Sequence, residues 1–116
     1  MLIANKSKKS VEVNPDMIGK YVNRHLYSDI IPSGKIIGIS GKHTLILAKV
    51  HHELDPNWKP ETVIGGFSGI TLNNHSQSYT YTVDESDTFK IRWSQKAIKS
   101  GIRIEDSPIY FYDYNF

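Results

Sequence analysis

The feature that most constrains this chain is a period of two. In QSYTYTV, residues 77–83, Tyr79, Tyr81 and Val83 fall on one side of an extended backbone, and Ser78, Thr80 and Thr82 fall on the other. TFKIRW, residues 88–93, repeats the pattern: Phe89, Ile91 and Trp93 alternate with Lys90 and Arg92. Such alternation suits a strand buried on one face, whereas a helix would scatter these side chains around its axis. The acidic DESD between the two runs reads as a turn, so the pair predicts a β-hairpin. Residues 35–40 and 44–50, rich in Ile, Leu and Val around the turn glycine Gly41, predict another.

Helical signals are weak by comparison. Residues 15–27 open with Pro15 and Asp16, which suit a helix start, but Gly19 and Val22 oppose one, and a strand through residues 20–27 fits as well. SQKAIKSG, residues 94–101, has room for one or two turns ending at Gly101. Residues 51–66 carry two prolines and read as a long connection. The expected fold is therefore mainly β: a small antiparallel curled sheet, barrel or sandwich, with at most one or two short helices.

The last seven residues hold three tyrosines and two phenylalanines. A frayed end gains nothing from large rings, so this end is expected to dock. Alternation makes it a closing strand, with Ile109 and Phe111 inward, Tyr110, Tyr112 and Tyr114 facing the other way, and Phe116 as its anchor.

At 116 residues, 39% hydrophobic and 22% charged, the chain fits one domain with a small core. Residues 1–14 read as a basic lead-in carrying Lys6, Lys8 and Lys9, and residues 15–116 as the single β-rich domain. A net charge of +2 is too small for a protein that embraces duplex nucleic acid, so a long nucleic-acid partner is not expected. The absence of cysteine excludes disulfides, thiolate catalysis and thiolate zinc sites. No run approaches the roughly 20 apolar residues of a membrane helix, and no signal peptide is expected, because MLIA gives way at once to KSKK. The Asn-x-Ser sequences at Asn5 and Asn74 read as chance without a secretory route.

No motif points to an enzyme. The SGK sequences at Ser33 and Ser40 lack the earlier glycine, the following Ser or Thr, and the helix of a phosphate loop. His51 and Glu53 share a face and need a third ligand such as His75 or His43, but the spacing follows no recognised metal pattern, so neither metal nor cofactor is expected. There is no G-x-S-x-G and no marked Ser, His and Asp set.

VIGGFSGITLNNHSQSYTY, residues 63–81, is richer. Gly65, Gly66 and Gly69 bracket Phe67, and Asn73, Asn74 and Gln77 supply amides that donate and accept at once, as the edge of a nucleobase requires. Arg92 can fork onto a phosphate, with Lys90 as a point charge on the same face. The same glycines and amides serve equally well as turns and caps, and Phe67 as core.

These elements, taken in order, resemble a widespread group of small tailed-phage proteins. The resemblance rests on Tyr27-Ser28-Asp29; on Gly65-Gly66-Phe67 followed by Asn74, Gln77 and Tyr79; on the basic Arg92; and on the ending Tyr112-Asp113-x-Asn115-Phe116. It departs from the group at Ile30, where Arg is common, at Gly69-Ile70-Thr71 in place of Gly-His-Cys, and at Tyr114 in place of Pro. The group is associated with anti-CBASS sponge proteins, which bind a cyclic-dinucleotide immune signal such as 3′,3′-cGAMP without cleaving it. That resemblance implies a non-enzymatic homo-oligomer in the cytoplasm of an infected bacterial host. It also implies a ligand site drawn from Asp29, Phe67, Asn74, Gln77, Tyr79, Arg92 and Tyr112. Two alternatives stand beside it: a phage structural or assembly protein that self-associates through its aromatic tail, and a single-strand nucleic-acid binder using the N-terminal lysines.

Overall fold

The computed structural model describes residues 11–65 and 68–115. Lys6, Lys8, Lys9, Gly66, Phe67 and Phe116 lie outside them. The fold is mainly β, as the alternation predicts. Its strands are β1 (Tyr21–Leu26), β2 (Asp29–Ser40), β3 (Thr44–Leu54), β4 (Thr62–Gly65), β5 (Ser68–Thr71), β6 (Tyr79–Arg92) and β7 (Ile102–Glu105). One α-helix, α1 (Gln95–Lys99), and 3₁₀ turns at Pro15–Met17 and Asn74–Ser76 complete it. Five strands form an open antiparallel sheet in the order β6-β3-β2-β1-β7, and β4 pairs with β5 as a separate ribbon.

The β2–β3 hairpin matches the expected one, turning through Gly41 at φ 65°. The second expected hairpin does not form. Residues 79–84 and 88–92 both pair with the same long β3, Leu54 with Tyr79 at one end and Thr44 with Arg92 at the other, so β6 is one continuous strand. DESD is a bulge in it. Lys49 faces Asp84 while the adjacent Ala48 faces Thr88, which leaves residues 85–87 without partners. Asp84 Oδ1 closes the bulge by accepting from Ser86 N at 3.0 Å and Ser86 Oγ at 2.6 Å, so turn chemistry is present without reversing the chain.

Opposite faces of the sheet are covered at opposite ends. Leu45 and Leu47 share one face of β3, and Ile36, the fully buried cross-strand partner of Leu47, packs with them. With Val22, Val13 and Trp93 they form the core, against which Met17, Ile98, Ile102 and Ile104 pack. The cover here consists of residues 11–20 and α1. Val13 N donates to Lys42 O at 2.8 Å, Val13 lies in the core and Val11 packs against it, so the segment just before residue 15 is joined to the sheet. Each of the fully buried Leu and Ile side chains contributes roughly 1.5–3 kcal/mol.

Gly101 joins α1 to β7 at φ 106°, and a Cβ there would stand 2.1 Å from His25 O. His25 N donates to Gly101 O at 2.8 Å, so the helix end is seated directly on β1 and only glycine fits. Ser94 Oγ caps the other end of α1 by accepting from Ala97 N.

Even-numbered residues of β3, from Ala48 to His52, point to the opposite face. The C-terminal segment crosses that face at the far end of the sheet. It is not the closing strand that alternation predicts: one isolated bridge, Ile30 with Phe111, is its only β pairing among the described residues. Among the described residues no helix is long and apolar enough to cross a membrane.

Candidate functional site

The tail is held by side chains in place of a neighbouring strand. Ile109 N donates to Asn23 Oδ1 at 3.0 Å, Tyr110 N to Tyr81 Oη at 2.7 Å, and Phe111 N to Ile30 O at 2.9 Å. Tyr112 N then donates to Gln77 Oε1 at 3.1 Å, Asp113 N to Asp29 Oδ1 at 2.8 Å, and Tyr114 N to Asn74 Oδ1 at 3.1 Å. Asn115 N donates to Asp113 Oδ1 at 2.9 Å. Every backbone N–H from residue 109 to 115 thus has an acceptor, and six of the seven acceptors are side-chain oxygens. A lone segment with no ladder partner otherwise leaves these groups to water or unpaired.

Asn74 is the centre of this latch and is only 4% exposed. Its Oδ1 also accepts from Gln77 Nε2 at 3.0 Å, and its Nδ2 donates to Asp113 Oδ1 at 3.0 Å. Gln77 Nε2 donates to Tyr112 O, and Tyr79 Oη donates to Gln77 Oε1 at 2.7 Å. Farther along, the Asn115 amide brackets Thr71, accepting from its N at 2.6 Å and donating to its O at 3.0 Å.

The electrostatics follow from these bonds. The Asn115 backbone N–H, then the Ser28 hydroxyl and the Asn74 amide, hold Asp113 below its ordinary value against a partial opposing effect of burial. Burial, reinforced by Tyr114, Tyr110 and Tyr81, pushes Tyr79 up to about 12, so it stays a donor to Gln77. Burial and the neighbouring His51 lower His52, which favours the neutral ring stacked on Tyr110 at 3.8 Å and 17°. Tyr114 leans on the buried Trp58 at 5.5 Å, and Phe111 stacks with His75 at 5.7 Å.

Of the residues the sequence marks as a ligand site, Asp29, Asn74, Gln77, Tyr79 and Tyr112 meet here. The side chains of Asp29, Asn74, Gln77 and Tyr79 are engaged with one another and with the tail, and Tyr112 joins them through its backbone N–H and carbonyl. Arg92 does not join them. It pairs with Thr44 at the opposite end of β3, roughly ten residue steps away, or about 33 Å at about 3.3 Å per residue. Phe67 lies outside the described residues. The expected inward and outward alternation of the tail is also revised: Tyr110 packs on His52 and Tyr114 on Trp58, while Tyr112, edge-on to Tyr114 at 4.8 Å, remains exposed.

Two contributors carry little sequence signal. Asn23 is fully buried, and its Nδ2 donates to Glu105 Oε1 at 2.8 Å and Ser107 O at 2.9 Å while its Oδ1 holds Ile109. Followed by Arg24 and His25 in a strand of mixed polarity, it carries no outward mark. Tyr81 was legible as a face-forming ring, but not as the acceptor for Tyr110.

The histidines of the candidate metal set are dispersed. His51 Nε2 lies 3.9 Å from Asp84 Oδ2, and His43 Nδ1 lies 3.0 Å from Val11 O. Among the described residues no three His, Asp or Glu side chains converge as a metal site would need. Comparison with known proteins finds no matching family model, curated protein or solved structure.

Proposed function

We propose that this chain is a non-catalytic, self-associating module whose second copy covers the apolar face of the β4–β5 ribbon. The observation that carries this reading is the ribbon itself. Val63 and Ile70 are cross-strand partners and both exposed, and Leu72, two residues beyond Ile70, is 66% exposed. A two-stranded ribbon is at best marginal alone and needs a partner layer on its apolar face. The shape agrees. The radius of gyration is 17.9 Å, against about 13–14 Å for a compact domain of this length, and the thinnest dimension is 18 Å.

A twofold arrangement would set each ribbon against its copy, since a self-complementary patch is the commonest route to a closed dimer. Sedimentation of the full chain across a concentration series tests this. The expected result is reversible dimerisation that Leu72→Lys abolishes without lowering the monomer's helix and strand content. A monomer at every concentration would overturn the reading.

Capture of a cyclic dinucleotide is the second reading, favoured by one observation. Tyr27 is 98% exposed and takes φ 52°, a left-handed conformation costly for a residue with a Cβ, two residues before Asp29 of the latch. The two-residue turn between Leu26 and Asp29 requires that conformation, and it leaves the Tyr27 ring at the surface, as the Tyr112 ring is; surface rings of this kind suit stacking on a base. The reading now relies on these rings, because the Asn74 and Gln77 amides serve the tail and Arg92 sits at the other end. Titration calorimetry with a panel of cyclic dinucleotides decides it, and heat at Tyr27→Ala equal to that of the parent chain would remove it.

A further inference from the structure

A cleft of about 490 Å³ opens between residues 14–20 and the α1–β7 unit, far from the latch. That volume falls within the range of small-molecule sites, roughly 300–1,000 Å³. Its apolar wall is made by Met17, Trp93, Ile98, Ile102 and Ile104.

Trp93 is 7% exposed, and its indole Nε1–H is the one buried side-chain polar atom among the described residues without a hydrogen-bond partner. Buried donors are almost always paired, so an orphan on a cleft wall calls for an acceptor. The nitrogen is sealed from solvent, so an occupant reaches it by displacing a neighbour. Met17, unbranched and only partly buried, is the adaptable side chain of the same wall.

The charged groups narrow the class. Arg103 Nη1 donates to Ile98 O at 2.7 Å and Ile102 O at 3.1 Å, which fixes the guanidinium at the end of α1. Its Nε and Nη2 donors make no bond to the described residues, and a guanidinium so oriented suits a carboxylate. Lys20 is already matched by Asp106 at 2.6 Å, so the cleft's remaining positive charge is that of Arg103, which also acts on Glu105 two residues along its strand. Asp16 on the same cleft opposes a second negative charge.

We infer that this cleft binds a small monocarboxylate with an apolar body. The body lies against the isoleucines and Met17, and the two carboxylate oxygens serve the Trp93 N–H and Arg103. Dianions such as phosphate monoesters are disfavoured by Asp16.

The test uses the ¹⁵N-labelled full chain, whose two tryptophans give two indole N–H resonances, assigned with Trp58→Phe. Titration with 4-phenylbutyrate is expected to shift the Trp93 resonance saturably, with a Kd of about 1 mM or tighter, and to leave Trp58 in place. Arg103→Gln should weaken phenylbutyrate about tenfold or more, yet leave the weaker binding of neutral 4-phenylbutyramide unchanged. Ile98→Trp, which fills the cleft from α1, should abolish the shift while the amide spectrum of the sheet persists. A Trp93 resonance unmoved at about 10 mM probe, well above that Kd, overturns the proposal. So does an Arg103→Gln chain that binds the acid as the parent does, or a common shift of both indoles.

Discussion

Replacing Asn74 by Ala is the sharpest test of the latch. Asn74 accepts from Tyr114 N and Gln77 Nε2 and donates to Asp113 Oδ1, so the substitution removes three bonds at a nearly buried point. The bond to Asp113 contributes little, because water screens that carboxylate. The two remaining bonds, together with the desolvation of an abandoned Tyr114 N–H, amount to about 2–3 kcal/mol. For a domain of this size such a loss lowers Tm by about 10 °C if the tail and the sheet unfold together.

The latch and the main core lie on opposite faces of the sheet, so the tail can also open by itself. Amide hydrogen exchange separates the two cases. Faster exchange confined to residues 109–115 means local opening, and faster exchange throughout β2 and β3 means cooperative loss. Asn74→Asp adds a sign test: it keeps the acceptor for Tyr114 but sets a second carboxylate against Asp113, so it should be weaker at pH 7 than at pH 4. If Asn74→Ala leaves both Tm and the exchange of residues 112 and 114 unchanged, the side-chain ladder does not hold the tail and the reasoning fails.

Other perturbations probe the rest of the frame. Asn23→Ala removes the bonds to Glu105, Ser107 and Ile109 from a fully buried site and should cost about 2–4 kcal/mol in urea unfolding, with faster exchange at Ile109. Gly101→Ala forces a Cβ into His25 O at a positive φ and should cost at least about 2 kcal/mol, visible as a lower denaturation midpoint. Acid should weaken the fold in two stages in a thermal-melt series. His52 lies below its ordinary 6.5 in the folded chain, so just below that pH the unfolded imidazole binds its proton first and stability falls as pH falls. Glu105 and Asp113 contribute above the unfolded carboxylate range and lose that contribution as pH drops through their lowered folded values. For Glu105 burial alone would raise the value, but the bonds from His25 and Asn23 outweigh it.

Where alternation was the signal, the sequence was a good guide: the β2–β3 hairpin and both halves of β6 appear where residue pattern places them, the helix falls within residues 94–101, and of the helix and strand left open for residues 15–27 the strand forms, as β1. The misplaced hairpin shows what pattern omits. DESD has the composition of a turn, and only the length of β3, which offers partners to both halves, makes it a bulge. Composition reports that a backbone must bend but not whether it must reverse. The tail fails for a related reason. Alternating rings predict a strand, yet a strand requires a free edge beside it, and here the sheet offers polar side chains instead.

The same reasoning explains why the ligand set looked persuasive. Asp29, Asn74, Gln77, Tyr79 and the Tyr112–Asp113 pair do belong together in space, so their common appearance in one chain had a physical cause. Amides suit a nucleobase because they donate and accept along one edge, and a backbone segment presents the same alternation of donors and acceptors. Local sequence cannot separate the two, because the latch's partner is the chain's own terminus some 40 residues away. Arg92 breaks the symmetry between the readings. An intramolecular latch needs no cation, whereas a dianionic ligand does, and the cation proposed for it stands about 33 Å off along β3. A recognition surface at the latch end would therefore draw its positive charge from other elements than β6: the exposed Arg24, whose cross-strand partner is Ile31, and the exposed Lys59, whose carbonyl accepts from Asn73, both lie nearer to it than Arg92 does.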